Sequence, residues 1–89
     1  MKIENMTSSN GNAVPNQFII RDDEGNTWFQ SYDSMIAVKR SNGKIELDSK
    51  TWDYSMTTGK YRNQFLCDAT ITETRKKIES GEYTLTNLN

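Results

Sequence analysis

The sequence predicts an α+β domain: a small antiparallel β-sheet of three to five strands with two short C-terminal helices packed on one face. Three observations carry this expectation. Between Gln17 and Asp48, apolar and β-branched residues come in short runs separated by turn residues, the pattern of a β-meander. Beyond Thr57 the apolar spacing lengthens to that of a helix, with hydroxyl and glycine signals where helix ends belong. The length of 89 residues leaves room for one such domain with one small core.

That core must be thin. Leu, Ile, Val and Phe account for 16 of the 89 residues, a share found in chains that stay unfolded. Disorder also requires a large net charge, and here 11 basic residues against 12 acidic ones leave a net of -1. Two Trp, four Tyr and three Phe supply apolar area that the aliphatics do not.

Taken in order, Lys2 to Met6 fits a short edge strand, and Thr7 to Asn16 is a polar run broken by Gly11 and Pro15. Residues 1–16 are therefore expected as an N-terminal strand or mobile polar arm, and 17–89 as a single α+β domain. Gln17 to Arg21 is a firm strand, and Asp22-Asp23-Glu24-Gly25-Asn26 turns the chain into Thr27 to Tyr32. On that strand Trp28, Gln30 and Tyr32 share one face and Phe29 takes the other. Met35 to Lys39 is apolar on both faces, as befits a central strand. Asn42-Gly43 is the strongest hairpin signal. After it Lys44 to Asp48 alternates, with Ile45 and Leu47 inward and Lys44, Glu46 and Asp48 outward.

The second half is helical in spacing. Thr57 or Thr58 is the expected cap of a helix from about Gly59 to Cys67, which carries Tyr61, Phe65 and Leu66. Thr70 to Glu73 has capping-box spacing, and Gly81 stands where a glycine stop belongs. The helix between them, Ile71 to Ser80, carries a Glu73–Lys77 pair one turn apart. Glu82 to Leu88 alternates around Tyr83 and Leu85, as an edge strand or an extended segment would.

Composition removes several function classes. Without histidine, His-based triads, imidazole bases and histidine metal sites are all excluded. The single Cys67 forms neither an internal disulfide nor a zinc site, and a half-buried thiol at a helix end is its ordinary reading. No membrane span and no signal-peptide core are apparent, so a cytoplasmic location is expected by elimination. The acidic Asp22–Asn26 turn lacks the spaced ligands of a calcium loop. Asp48 and Asp53 have no evident partner, no cofactor motif is present, and nothing supports an enzyme.

The densest chemistry lies between Trp52 and Asn63. Tyr54, Ser55, Thr57, Thr58, Lys60, Arg62 and Asn63 offer hydroxyls, amides and charge at a helix start, where free backbone N–H groups attract anions. The Gly-Lys-Ser/Thr order of a P-loop is missing, so nucleotide hydrolysis is not supported. Arg75 and Lys77 would extend this segment into a phosphate-contacting patch if they shared its face. The competing reading is a strand-to-helix junction with Trp52 in the core, and a helix face whose bases are interspersed with Glu73 and Glu79.

The order Phe29-Gln30-Ser31-Tyr32, Ile36-Ala37, Trp52-Asp53-Tyr54-Ser55, Thr57-Thr58, Lys60, Arg62-Asn63, Phe65-Leu66 and Glu73-Thr74-Arg75-Lys76-Lys77-Ile78 with Ser80-Gly81-Glu82-Tyr83 resembles a family of small uncharacterised proteins. Its members are common in bacteriophage and gut-associated mobile elements. The resemblance implies a short α+β accessory protein and brings no catalytic residue, cofactor or substrate with it. The function expected on these grounds is non-enzymatic binding that modulates or inhibits a host protein, with anti-defence activity such as anti-CRISPR one form of it. The alternative is nucleic-acid or nucleotide binding at residues 57–62. A homodimer through sheet edges or the second apolar sheet face is expected to cover a thin core. The competing arrangement folds the Thr7–Asn16 arm or the Glu82–Leu88 tail over that surface.

Overall fold

A computed structural model describes all residues from Met1 to Asn89. Strands β1 (Lys2–Thr7), β2 (Ala13–Arg21), β3 (Thr27–Ser31), β4 (Ser34–Lys39) and β5 (Ile45–Asp48) are followed by helices α1 (Met56–Leu66) and α2 (Ile71–Glu79), then by strand β6 (Tyr83–Thr86). The α+β class is as expected. The sheet differs in having six strands in sequential order, β1 to β6, and in being mixed, because β6 lies parallel to β5. The helices are therefore not C-terminal. They form the crossover between β5 and β6 that a parallel neighbour requires.

Register settles the two faces. Ile19, Phe29, Ala37 and Leu47 lie opposite one another across β2 to β5. All but the half-buried Ile19 belong to the core cluster, where Tyr61, Phe65 and Leu66 of α1 and Tyr83 of β6 join them. The Phe29 and Phe65 rings stack with centroids 5.7 Å apart. Between Phe29 and Gln30 the pairing with β4 slips by one residue, leaving Ile36 as a bulge. That slip lets Ile36 and Ala37, adjacent in sequence, both enter the core.

The reverse face has no second layer of elements. Across it run Val38, Trp28, Ile20 and Ile3, paired strand to strand. The Arg40 guanidinium lies 5.0 Å over the Trp28 ring and pairs with Glu46 at 2.9 Å. Charged side chains thus cover the middle of this face, in the way long stems commonly cover apolar surface.

Several local expectations change. The Thr7–Asn16 run is a loop only over residues 8–12, since β2 begins at Ala13. Asn16 accommodates this by a positive φ of 66°, a conformation asparagine tolerates. Tyr32 falls outside β3 in a left-handed turn. Asp48, expected outward, is buried. It accepts bonds from the Thr51 amide and hydroxyl, the Lys50 amide and the Leu88 amide, joining the end of β5 to the C-terminal tail. Cys67 is exposed and caps α1 in the left-handed region at φ 60°.

Candidate functional site

The Trp52–Asn63 segment leaves β5 and enters α1 earlier than its threonines suggest. Ser55 is the N-cap, its hydroxyl accepting the Thr58 amide at 3.1 Å, so Gly59 lies within the helix. A Cβ at Gly59 would stand 3.6 Å from Arg62 Nη2. That is ordinary contact distance, so the guanidinium lies directly over this turn of the helix.

Arg62 is drawn inside. Its side chain is 1% exposed, with Nη1 donating to the Trp52 carbonyl at 2.6 Å and Nη2 to Asn63 Oδ1 at 3.1 Å. The guanidinium carbon lies 5.3 Å from the Trp52 ring centre, and Nε has no partner. Burial lowers its pKa while Asp53, 3.8 Å away, works against that shift. A guanidinium remains charged at neutral pH regardless. Arg62 therefore clamps the segment to the helix, and Trp52 packs against the core beneath it.

Thr58 is likewise fully buried, its hydroxyl 2.8 Å from that of Ser31 on β3. Outside remain Tyr54, Thr57 and Lys60, with the Lys60 ammonium 5.4 Å from the Tyr61 ring centre. Ser55, Lys60, Arg62 and Asn63 line a groove of about 280 Å³ together with Asp53, Met56, Gly59 and Ile71. Met56 is 94% exposed, the most exposed large hydrophobic residue of the chain, and Tyr54 is 48% exposed. Met56 carries no signal in the sequence, because it becomes a rim residue only once Ser55 rather than a threonine caps the helix.

The basic residues of α2 do not extend a cationic patch. Arg75 pairs with Asp53 at 3.1 Å. Lys77 points the other way and bonds Asp68 Oδ1 at 2.7 Å. Asp68 also accepts from the Thr74 hydroxyl at 2.7 Å and from the Tyr83 hydroxyl at 3.1 Å. This buried cluster fastens the α1–α2 turn to α2 and β6. Burial pushes the Asp68 carboxyl up, but the bonds from Lys77, Thr74 and Tyr83 outweigh it and hold the pKa below the ordinary carboxylate value. Burial, then Asp68, raises the Tyr83 pKa. Asp68 carries no sequence signal beyond standing after a helix end, so the cluster could not be read in advance.

Fold and site together define a two-layer α+β domain with a clamped helix start and a groove beside it. The chain belongs to a family of unknown function, DUF8033, whose model matches residues 1–81. No curated protein and no solved structure matches it. No helix is long and apolar enough to cross a membrane.

Proposed function

We propose that this chain is a small non-enzymatic binding protein that engages a partner protein through the outer side of its Trp52–Asn63 segment. The observation that carries this reading is the exposure of Met56, 94%, and of Tyr54, 48%, on the segment that borders the groove. An exposed aromatic and a methionine next to amide, hydroxyl and charged groups is the make-up of an interface centre with its rim. In the fuller form of the reading, the partner is a protein of a bacterial host cytoplasm and binding modulates or inhibits it, anti-CRISPR activity being one case. That form rests on the mobile-element resemblance of the Trp52–Ser55 motif and on the lack of histidine and paired catalytic carboxylates.

Nucleic-acid or nucleotide binding has less support. Arg62, Arg75 and Lys77 are engaged with Trp52, Asp53 and Asp68 within the chain, leaving Lys60 without such an ion pair at the groove.

The test is capture from host lysates by immobilised wild type and by a Tyr54→Ala/Met56→Ala variant. A stoichiometric protein retained by wild type and lost by the variant is expected. Recovery of none from several hosts, or equal recovery by both, overturns the reading. Retention of nucleic acid that falls steeply with salt would favour the alternative instead.

A further inference from the structure

The apolar row on the reverse face of the sheet does not stop at a covered position. Val38, Trp28, Ile20 and Ile3 lie opposite one another from β4 to β1. Val38 is fully buried and Ile20 nearly so, yet Ile3 at the end of the row is 60% exposed. Strand β1 is an edge of the sheet; the Thr7 carbonyl at its end accepts from Gln64 Nε2, while the outward backbone groups from Lys2 to Met6 are free to template another strand.

Natural edges are commonly blunted by charge, and β1 carries Lys2 and Glu4 on the helix-side face, flanking Ile3. Their signs are opposite, however, and that makes the strand self-complementary. In an antiparallel pair of two copies with Ile3 opposite Ile3, each Lys2 stands directly opposite Glu4 of the second copy. The pairing one step further along sets Glu4 against Glu4, which like-charge repulsion disfavours. Glu4 already pairs with Arg21 on β2, so its carboxylate would sit between a cation of each chain.

We propose that two copies of this chain associate through β1 in that register, with Ile3 on the two-fold axis, giving a continuous twelve-strand sheet from two six-strand ones. The apolar row then runs unbroken from Val38 of one copy to Val38 of the other. The contact is closed and isologous. Its short length makes it a weak, concentration-dependent dimer, independent of the Tyr54–Met56 surface.

Sedimentation velocity from about 1 µM to 1 mM, a span centred on affinities of weak interfaces, tests this with the full chain. The mass is expected to rise from 10.3 kDa toward twice that value. Ile3→Lys should hold it at 10.3 kDa with an unchanged circular dichroism spectrum, since Ile3 is mostly exposed in the monomer. Lys2→Glu should raise the dissociation constant about tenfold, as two cross-strand attractions become repulsions. The Lys2→Glu/Glu4→Lys exchange should restore it. A constant 10.3 kDa across the range overturns the proposal. So does a dimer indifferent to Ile3→Lys, or open-ended growth, which would signal head-to-tail pairing of β1 with β6.

Discussion

Arg62 is a charged residue used as a structural part. In the sequence it stands among hydroxyls at a helix start and reads as a ligand for anions. Its burial depends on Trp52 returning a carbonyl and a ring face to it and on Asn63 accepting its second amino group. Neither contact is visible in a linear pattern. Arg62→Ala should lower unfolding free energy by about 2–4 kcal/mol, because a buried, bonded group is lost and its partners are left open. Gln17 presents the opposite case. It is fully buried opposite Ser31, and neither of its amide atoms has a partner. Gln17→Met, of similar volume, should raise the urea midpoint by the equivalent of about 1 kcal/mol or more. A lowered midpoint would mean that the amide is satisfied. In the sequence Gln17 reads as the start of a strand, and alternation alone does not say that it faces the core.

At the scale of elements, the meander from β2 to β5 was legible because each turn carries its own chemistry. Asp22 illustrates this, accepting the Asn26 and Glu24 amides and the Trp28 indole N–H. The Trp28 bond foremost, with the Asn26 amide, brings its pKa down to about 2. The parallel β6 was not legible, since alternation around Tyr83 reveals a strand but not its neighbour or direction. What fixes β6 includes the Asp68–Thr74–Lys77–Tyr83 cluster, and this gives stability a definite pH dependence. Asp68, folded below its ordinary 3.8, contributes fully above that value, and the contribution is lost as pH falls through the folded pKa. Lys77 and Tyr83 are raised above 10.5 and 10.0, so their contributions hold below those values and are lost as pH rises beyond them. Thermal melts should show a plateau between these limits that falls away on both sides. Asp68→Asn should flatten the alkaline fall and reduce the acid one, leaving the share of Glu4, Asp22 and Asp48. An alkaline fall unchanged by Asp68→Asn would remove the cluster from the account. The helix layer is checked in the same way: Phe65→Ala and Ile36→Ala should each cost about 2–5 kcal/mol in chemical denaturation. Melts unmoved by either would contradict the packing of α1 on the bulged β4.

For the whole molecule, the accessible surface of 5438 Å² is close to the roughly 5,350 Å² that scaling gives a compact monomer of this mass. The thin core is thus enough to close one chain, and the proposed pairing through β1 would add to a domain already closed on itself. Composition anticipated that core, because aromatic residues do replace missing aliphatics around Phe29, Tyr61, Phe65 and Tyr83. The candidate site was legible in location and not in its division of labour. Trp52–Asn63 stood out by density, while which residues face in and which face out depends on the helix start at Ser55 and on the inward swing of Arg62. That division is the central claim, and equilibrium urea unfolding of two variants tests it most directly. Arg62→Ala should lose about 2–4 kcal/mol, while Tyr54→Ala/Met56→Ala should stay within about 0.5 kcal/mol of wild type, as exposed surface positions do. The reverse order, with the surface pair costly and Arg62 neutral, would contradict it.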